Sequence, residues 1–590
     1  MIMKKILIFL AALSLISCED LFKPTLENVI VYDDMYNKPD LAYGLLMPAY
    51  MQLPYDVNSD LASDNAVSND MWNSYRNITG GQWSSINNPM NGWNNRINSI
   101  ITANLFLENV DKVKWTTNGD PTLQRLFVDR MSGEAYALRA LHMMYLIRNH
   151  AGYSEDGELL GVPIILTSMN ANSEFNLPRA SFKECVDQVM KDFDKAVELL
   201  PLDYKTHTNI PQVYIDELKL DDVAIYNRVA GEGFKGLISG RIAEAMRSQM
   251  ALLAASPAFA AGSDITWADA AELAGDVLDK IGDVSGIDPN GHHWYSNKIE
   301  IDGLTTGNNP KEIIWRGTMN DTNQSEIDNF PPSLYGNGRT NPTENLVQAF
   351  PMKNGYPIKD ASSGYNAVDP FTDRDPRLKE YIVYDGSSQG SSVISTGKAS
   401  GSLDGINKEN NRSTRTGYYM RKHTRSYVNP NPMNPVKAKS YPVRLRYTEI
   451  FLNYAEAANE AYGPTGKPSH LTFSALDVIK EIRKRAGISQ PDNYLQSCSG
   501  SKSKMRELIR NERRLELCFE GFRFWDIRRW SEPGNVLEVL TETATGYDAS
   551  ASTARVFDVE SREFKDYMIY APIPNSEVLK YSNLKQNQGW

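Results

Sequence analysis

The chain has few cysteines for its length. Four occur in 590 residues: Cys18, Cys185, Cys498 and Cys518. So few thiols cannot form the dense disulfide framework on which small secreted domains depend. Stability must instead come from burial of apolar side chains, and a chain of this length can bury a large core.

Positive charge is also scarce, because 62 lysines and arginines stand against 73 aspartates and glutamates, a net charge of −11. Binding to nucleic-acid phosphates needs basic patches, so this balance argues against a nucleic-acid partner. After the first 18 residues, no apolar run reaches the roughly 18 residues that a transmembrane helix requires. We therefore expect a protein that neither binds nucleic acid nor crosses a membrane.

The familiar signatures of catalysis and cofactor binding are missing. The sequence has no H-E-x-x-H, no paired-cysteine zinc pattern and no G-x-G-x-x-G that opens a helix after a strand. Gly386–Gly390 has the spacing of a serine nucleophile elbow, but a turn-rich tract follows it where an elbow needs a helix. His292 and His293 have no further ligand nearby in the sequence to complete a metal site. We predict no cofactor, no metal site and no catalytic residue.

The first 18 residues have the pattern of a secretory signal. Lys4 and Lys5 precede an apolar stretch over residues 6–16, which is too short to span a bilayer. The ending L-I-S-C at residues 15–18 resembles a bacterial lipobox, which implies removal of residues 1–17 and lipidation of Cys18. Because stable anchoring takes more than one acyl chain, a multiply acylated cysteine would hold the protein on a membrane by its lipid alone.

The body of the chain alternates helical segments with long polar loops. A helical pattern runs from Met131 to Asn149, and Ser181 with Glu184 forms a capping box that opens another helix. The remaining helical segments form two pairs, Gly240–Ala255 with Trp267–Ile281 and Tyr447–Ala461 with Ala475–Ala486. Such pairs resemble tetratricopeptide repeats, although long inserts separate them. We predict a mainly α fold, a tetratricopeptide-like scaffold of helix pairs with long irregular loops and a few short β-strands.

Residues 56–95 differ in composition, since asparagine, serine and glycine crowd the segment and favour turns over helices. Trp72, Tyr75 and Trp83 lie in its polar part, whereas Trp93 leads into an apolar series and is predicted to be core. Large aromatic side chains without apolar neighbours usually mark recognition surfaces. We therefore expect a binding surface in this segment.

Residues 283–440 form a second loop-rich region with short strand-like runs at Glu312–Arg316 and Tyr381–Tyr384. Loops of this length are either functional or disordered, and the many tryptophans and tyrosines here favour function. The sequence contains no linker that divides the chain. We predict one domain over residues 18–590, with an N-terminal part to about 310 and a C-terminal part from about 311.

The segment Lys504–Trp530 mixes arginines, glutamates and aromatic residues at helical spacing. That pattern suits an ion-pair network along a packed helix. Arg513, Glu520 and Arg523 could instead contact a ligand, but the preceding helix pairs offer this segment packing partners and the loops offer better ligand chemistry. We predict a structural clamp in which Glu520 and Arg523 are paired within the protein and do not touch the ligand.

Several stretches taken together resemble the SusD/RagB family of Bacteroidetes. They are the lipobox at Cys18, D-P-R at 375–377, T-G-Y-Y at 416–419, R-Y-x-E-I-x-L-x-Y-A-E-A at 446–457, E-R-R-x-E at 512–516, E-G-x-R-x-x-D-x-R-R-W at 520–530, P-I-P at 572–574 and Q-N-x-G-W at 586–590. The resemblance covers essentially the whole mature chain in the order of the family, although no single motif would suffice.

The resemblance implies a surface-exposed outer-membrane lipoprotein of a nutrient-uptake system. Members of the family are not enzymes. They capture oligosaccharides in most cases and cover a SusC-like TonB-dependent transporter as a lid on a hinge. The acidic residues after Cys18 also resemble the export signal that sends such lipoproteins to the cell surface.

The ligand residues of the family are poorly fixed by motif, so we select candidates by their chemistry. Sugars present apolar C–H faces and polar rims, which a flat aromatic ring with flanking amides complements. The predicted ligand-binding residues are Trp72, Tyr75 and Trp83 as stacking platforms, Asn73, Arg76 and Asn77 as hydrogen-bonding partners, and Trp294, Tyr295 and Trp315 as a second aromatic set.

Two alternatives to an oligosaccharide-binding lid stay open. Some RagB-type relatives are thought to carry peptides, so the cargo could be a peptide. The second alternative is a surface glycoside hydrolase on the same scaffold, because such enzymes need only two carboxylates and this chain has many.

Overall fold

The computed structural model describes residues 35–55, 57–305, 307–553 and 555–590. The predicted signal peptide at residues 1–17 and the predicted lipidation site Cys18 lie outside the described residues. No helix in the described part of the chain has the length and apolar character that a membrane crossing needs.

Helices make up most of the regular structure, as predicted. The helices of the described residues are α1 Pro39–Gly44, α2 Met47–Met51, α3 Arg76–Thr79, α4 Trp93–Leu107, α5 Pro121–His150, α6 Phe182–Leu199, α7 Gln212–Leu218, α8 Val223–Ala230, α9 Gly240–Ala255, α10 Trp267–Asp279, α11 Lys298–Gly303, α12 Gln324–Asn329, α13 Glu344–Ala349, α14 Pro376–Tyr381, α15 Tyr447–Tyr462, α16 Ala475–Arg485, α17 Asn493–Cys498, α18 Lys502–Glu516, α19 Arg523–Arg529 and α20 Asn575–Lys580.

The long helices pack as a series in which each contacts the next. Helix α4 lies against α5, α5 against α6, α6 against α9, α9 against α10, α10 against α15, and α15 against both α16 and α18. The predicted pairs α9 with α10 and α15 with α16 are therefore in contact. The largest hydrophobic cluster runs through this series and draws buried side chains from both halves of the chain, from Met35 to Leu584.

Local sequence sets where these helices begin. The capping box at Ser181 and Glu184 is present, and equivalent boxes open α10 at Thr266 and α16 at Ser474. Helix α5 begins ten residues before the predicted Met131, because the Asp120 side chain accepts hydrogen bonds from the first backbone N–H groups and a proline follows it. The apolar pattern alone missed this first part of α5.

The strands are short and form two-stranded antiparallel ladders. They are β1 Ala66–Ser68, β2 Gly152–Tyr153, β3 Leu159–Leu160, β4 Ile313–Arg316, β5 Asn320–Thr322, β6 Thr340–Pro342, β7 Ile382–Val383, β8 Ser388–Gln389, β9 Ser392–Val393, β10 Tyr419–Met420, β11 Ala438–Ser440, β12 Val443–Arg446, β13 Ala544–Tyr547 and β14 Val556–Glu560. The pairs are β1 with β6, β2 with β3, β4 with β12, β5 with β11, β7 with β10, β8 with β9, and β13 with β14.

Two of these ladders position the loops that matter below. The β1–β6 ladder, with Val67 opposite Asn341, brings the start of the asparagine-rich segment beside the loop before β6. The β4–β12 ladder joins the predicted strand-like run at Glu312–Arg316 to the residues that lead into α15. Gly386–Gly390 overlaps the hairpin β8–β9, so it is a turn and not a nucleophile elbow.

The segment Lys504–Trp530 is a clamp, as predicted, but it is not one continuous helix. Helix α18 ends at Glu516 and α19 begins at Arg523, and the turn between them contains Phe519 and Gly521, both with positive φ. Arg513 Nε bonds Asp526 Oδ2 across this turn at 2.7 Å, which fixes the two helices to each other. A residue in the left-handed region cannot continue a helix, which explains the break.

Glu520 and Arg523 are both paired within the protein, although not with each other. Glu520 lies 2.7 Å from Arg446 and 2.6 Å from Lys422, whereas Arg523 pairs with Asp64. These contacts tie the clamp to the strand before α15 and to the segment before β1. The sequence pattern identified charges that are paired, but it could not identify their partners.

Candidate functional site

Trp72 is the one exposed tryptophan of the chain. All ten tryptophans lie in the described residues, and nine are buried or half-buried, whereas 83% of Trp72 is exposed. Its backbone N–H donates to Asp70 Oδ1 at 3.0 Å, and Asp70 N–H donates in turn to Ser68 Oγ at 3.1 Å. The turn that presents the ring is therefore held by local side-chain bonds rather than by burial of the ring.

A second loop lies alongside the turn at Trp72. The Asn69 side-chain amide donates to the Asn337 carbonyl at 2.9 Å, and Arg339 approaches the Asp70 carboxylate at 3.7 Å. Tyr335, on the same second loop, is also exposed. The structure thus places two exposed aromatic side chains on neighbouring loops that polar contacts join.

Charged groups border this surface on the other side. Arg76 donates to the Asp70 carbonyl at 3.4 Å and lies 3.9 Å from Glu560. Glu560 is also paired with Arg415 at 2.8 Å. Partial burial and the neighbouring Arg415 lower the pKa of Arg76 from its usual value. The guanidinium of Arg76 is thus oriented by its neighbours but remains partly accessible.

The predicted amides and Tyr75 are half-buried beside Trp72. Asn73 Oδ1 accepts from Tyr75 N–H at 3.0 Å, which directs its amide nitrogen away from the backbone of the turn. The ring of Tyr75 packs against two hydrophobic clusters, so it supports the turn from below. Four of the predicted residues, Trp72, Asn73, Arg76 and Asn77, are consequently accessible on one short segment.

Trp83 is not accessible, and its predicted role as a stacking platform needs correction. Only 3% of the residue is exposed, because Phe524 and Trp590 pack against its ring at centroid distances of 5.9 and 4.8 Å. Its indole N–H donates to Asn88 Oδ1 at 3.2 Å. Trp83 is therefore a core residue that joins the asparagine-rich segment to the end of the chain.

The second predicted aromatic set is buried as well. Trp315 lies in β4 at 3% exposure, with its N–H donated to the Gly236 carbonyl and the Arg444 guanidinium 5.3 Å from its ring centroid. Trp294 and Tyr295 pack edge to face on each other and against His423. The surface-platform prediction is wrong for these three residues, because tertiary packing covers their rings.

A cleft that the sequence did not reveal lies between α5, α9, the strand β12 and the turn before α19. Its cavity volume is about 150 Å³. The aromatic side chains around it are Tyr55, Tyr145, Trp294, Phe522 and Trp525, and its arginines are Arg148, Arg444, Arg446, Arg513 and Arg529. We call this space the central cleft. Its lining residues come from segments far apart in the chain, which is why sequence spacing gave no sign of it.

Trp294 lies at the wall of the central cleft. The residue is 6% exposed, and its indole N–H has no hydrogen-bond partner in the described part of the chain. Buried polar groups almost always have partners, so this unpaired N–H is an exception within the wall of the cleft. Trp294 is thus the one member of the second predicted set that lines the central cleft.

Two of the three acids that line the central cleft, Glu520 and Asp526, are engaged in ion pairs, whereas burial raises the pKa of the third, Glu449, which accepts a hydrogen bond from the Gln249 side-chain amide. Burial alone would raise the pKa of Glu520, but Arg446 and Lys422 more than offset that effect and hold it below its usual value. Asp526 accepts from Arg513 at 2.7 Å and from Arg529 at 2.9 Å. Each of these two carboxylates is held by two cations, so Glu520 and Asp526 suit a structural role better than acid catalysis.

Two family models match most of the chain. A model described as SusD family matches residues 311–590, and a model described as starch-binding associating with outer membrane matches residues 34–213. A curated SusD-like protein of Formosa agariphila is 26% identical over 148 residues, which is 25% of each chain. The chain therefore spans about a quarter of the length of that curated relative.

Solved structures resemble the fold over nearly its whole length. A SusD-like protein from Bacteroides fragilis is 22% identical with a TM-score of 0.70, and the match covers 95% of this chain and 98% of that one. A SusD-like carbohydrate binding protein from the same species is 22% identical with a TM-score of 0.68, covering 93% and 100%. At these identities the likeness shows a shared fold and nothing about the ligand.

Proposed function

Because this chain belongs to the SusD family, we propose that it is a cell-surface lipoprotein that binds oligosaccharides and delivers them to a SusC-like TonB-dependent transporter. In this proposal the acylated Cys18 holds the protein on the outer membrane, and the chain covers the transporter as a lid. The proteins of similar fold include one described as carbohydrate binding, which supports a sugar as cargo.

The observation that carries the proposal is the exposure of Trp72 among half-buried polar groups. A pyranose ring has an apolar C–H face that stacks on an indole and hydroxyl groups at its rim that bond amides and guanidinium groups. Trp72 would supply the stacking surface, and Asn73, Arg76 and Asn77 would supply hydrogen bonds. Arg339 and Tyr335, on the neighbouring loop, extend the same surface and would contact a second sugar unit.

Binding without cleavage is part of the proposal. A glycoside hydrolase needs a carboxylic acid that is protonated near neutral pH next to a second carboxylate. At the Trp72 surface the acids Asp70 and Glu560 are each within 3.9 Å of an arginine, so both carboxylates are engaged in ion pairs. This arrangement supports a binding protein rather than an enzyme.

The test is a glycan array on the purified mature chain, followed by titration calorimetry with the best ligand. We expect saturable binding to one class of oligosaccharide and no release of shorter products on prolonged incubation. Product release would overturn the binding-only proposal. Binding of peptides with no response to any glycan would overturn the choice of cargo and favour the RagB-type alternative.

Delivery to a transporter needs a separate experiment. The proposal predicts that the chain copurifies with a TonB-dependent transporter from outer membranes solubilised in mild detergent. Growth on the cognate glycan should fall when either protein is deleted. Failure to copurify, with unimpaired growth of the deletion strain on that glycan, would contradict the delivery role but not sugar binding.

A further inference from the structure

Two adjacent histidines and a distant glutamate meet next to Trp294. His292 and His293 lie in the short 3-10 turn Gly291–His293, and Glu380 lies in α14. Glu380 Oε2 is 2.9 Å from His293 Nε2 and 3.7 Å from His292 Nε2, and ligand atoms of all three lie within 4.8 Å of one another. We propose that these side chains bind a divalent late transition-metal ion of the zinc class.

The donor atoms and their spacing fit such an ion. Two imidazoles and one carboxylate suit zinc, nickel or copper, whereas calcium and magnesium prefer sites made only of oxygen atoms. With bonds of about 2.0–2.1 Å, neighbouring ligand atoms of a tetrahedral site lie about 3.3 Å apart. The two measured distances, 2.9 and 3.7 Å, lie on either side of that value. A small side-chain movement would therefore create the site.

The unpaired ring nitrogens of His292 are not explained by the hydrogen bond between His293 and Glu380. The residue is 9% exposed, and its Nδ1 has no hydrogen-bond partner in the described part of the chain. Its Nε2 lies 3.7 Å from Glu380, which is too far for a hydrogen bond. A buried imidazole with neither ring nitrogen bonded is unusual. A metal ion at Nε2 would give that nitrogen the partner it lacks, while Nδ1 would stay without a partner.

Glu380 has no direct arginine or lysine partner among the described residues. Within the described residues its ion-pair partners are the two histidines alone, with no lysine or arginine among them. The nearby Arg485 is engaged elsewhere, at 2.7 Å from Glu516 and 3.7 Å from Glu312. Arg421 acts on Glu380 only at longer range, so the metal ion would meet a carboxylate that no described arginine or lysine contacts directly.

The site would be open to solvent on one side. The side chains of His293 and Glu380 are 36% and 27% exposed. Three protein ligands leave a fourth position for water, as in exchangeable rather than closed structural sites. The bound ion would join the turn Gly291–His293 to α14 and so fix the start of the loop that carries Trp294 to the wall of the central cleft.

The test uses the purified mature chain without any histidine tag, freed of metal by chelation and then titrated with zinc chloride in a calorimeter. We expect one zinc ion per chain and a higher melting temperature in the presence of zinc. Cobalt chloride in place of zinc should give the visible absorption of a four-coordinate cobalt ion. The variants His293→Ala and Glu380→Gln should each bind zinc about tenfold or more weakly and should lose the cobalt spectrum.

His470→Ala is the matched control, because His470 forms an exposed pair with Asp276 at 2.9 Å, apart from the three proposed ligands. This variant should bind zinc as the native chain does. Glu380→Gln keeps the shape of the side chain, so a folding defect in His293→Ala would not prevent the test. Absence of zinc binding to the native chain, or equal binding by native chain and both variants, would overturn the assignment.

Discussion

Arg523 and Asp64 form a two-point ion pair between the start of α19 and the segment before β1. Nε and Nη2 of the arginine lie 2.8 and 2.9 Å from the two carboxylate oxygens. Asp64 is fully buried, and Arg514 approaches it as well at 2.7 Å. Burial alone would raise the pKa of Asp64, but Arg514 and Arg523 together hold it well below its usual value. The pair fixes the segment that leads to Trp72 onto the clamp.

Replacement of Arg523 by alanine should destabilise the protein. The substitution leaves the buried carboxylate of Asp64 with one of its two arginine partners. Breaking a buried ion pair in this way costs about 3–5 kcal/mol. Chemical denaturation of the native and variant chains measures this cost. Lys585→Ala is the control, because Lys585 and Asp156 form a pair in which both side chains are exposed and which should contribute little to stability. Equal stabilities of native chain and Arg523→Ala would contradict the clamp.

Trp72→Ala should weaken binding of the cognate glycan by more than about 1 kcal/mol, since a stacking ring is lost. Its melting temperature should match that of the native chain, because the ring is 83% exposed. Trp72→Tyr keeps an aromatic face and should recover most of the affinity. Titration calorimetry on the native chain and the two variants measures these affinities. An unchanged affinity in Trp72→Ala would show that Trp72 does not contact the glycan.

Trp83→Ala should lower the stability of the protein and leave glycan affinity almost unchanged, the reverse of the result expected for Trp72→Ala. Removal of a large buried aromatic side chain costs about 3–5 kcal/mol, because a cavity remains where the ring packed on Phe524 and Trp590. Denaturation should show this loss, and glycan affinity of the folded fraction should stay within about twofold of native. A loss of affinity at native stability would return Trp83 to the list of ligand contacts.

Acid should destabilise the protein through its arginine-bound carboxylates. Burial alone would raise the pKa of Glu456, but Arg529 more than offsets this and lowers it from 4.5 to about 2. The folded-state pKa thus lies below the unfolded one, so the stabilisation is complete above about pH 4.5 and is lost as pH falls toward 2. Denaturation from pH 7 to 2 should show this decline.

Glu456→Gln provides the comparison for the acid experiment. The variant should be less stable than the native chain at pH 7, and the difference between the two should shrink as pH falls through the same interval. A difference that stays constant with pH would mean that Glu456 does not titrate as proposed.

Gly417→Ala should destabilise the T-G-Y-Y turn. Gly417 has a φ of +87°, and an added Cβ would lie 2.1 Å from the Tyr547 carbonyl oxygen. Strain in that backbone region costs about 1–3 kcal/mol, and the clash adds to it. Gly401→Ala is the control, because nothing lies within 4 Å of a Cβ there. Thermal melting should separate the two variants, and equal melting temperatures would show that the turn can relax.

Much of the scaffold follows from local sequence. The Ser181 capping box begins a helix at the predicted place, and the pairs α9–α10 and α15–α16 follow the predicted spacing of apolar residues. Helix caps and amphipathic periodicity depend on residues close together in sequence, so they can be predicted without a structure. The break between α18 and α19 could not be predicted from the sequence, because aromatic and charged residues continue at helical spacing through the turn at Phe519.

The candidate site was only partly predictable. Trp72 and Trp83 lie in the same asparagine-rich segment with the same kind of neighbours in sequence, yet one is exposed and the other buried. The difference comes from Phe524 and Trp590, which reach Trp83 from the other end of the chain. Composition indicates that a segment carries recognition residues, but distant packing partners decide which of them reach solvent.

The sequence by itself determined the family, the mainly helical class, the short strands and the positions of several helix ends, because these depend on motifs and on neighbours along the chain. Tertiary structure decided which aromatic rings are accessible, which two cations pair with Glu520, and where the central cleft lies. It also brought Glu380 to His292 and His293. Such contacts join residues from distant segments, and no local pattern of polarity or spacing specifies where those segments meet.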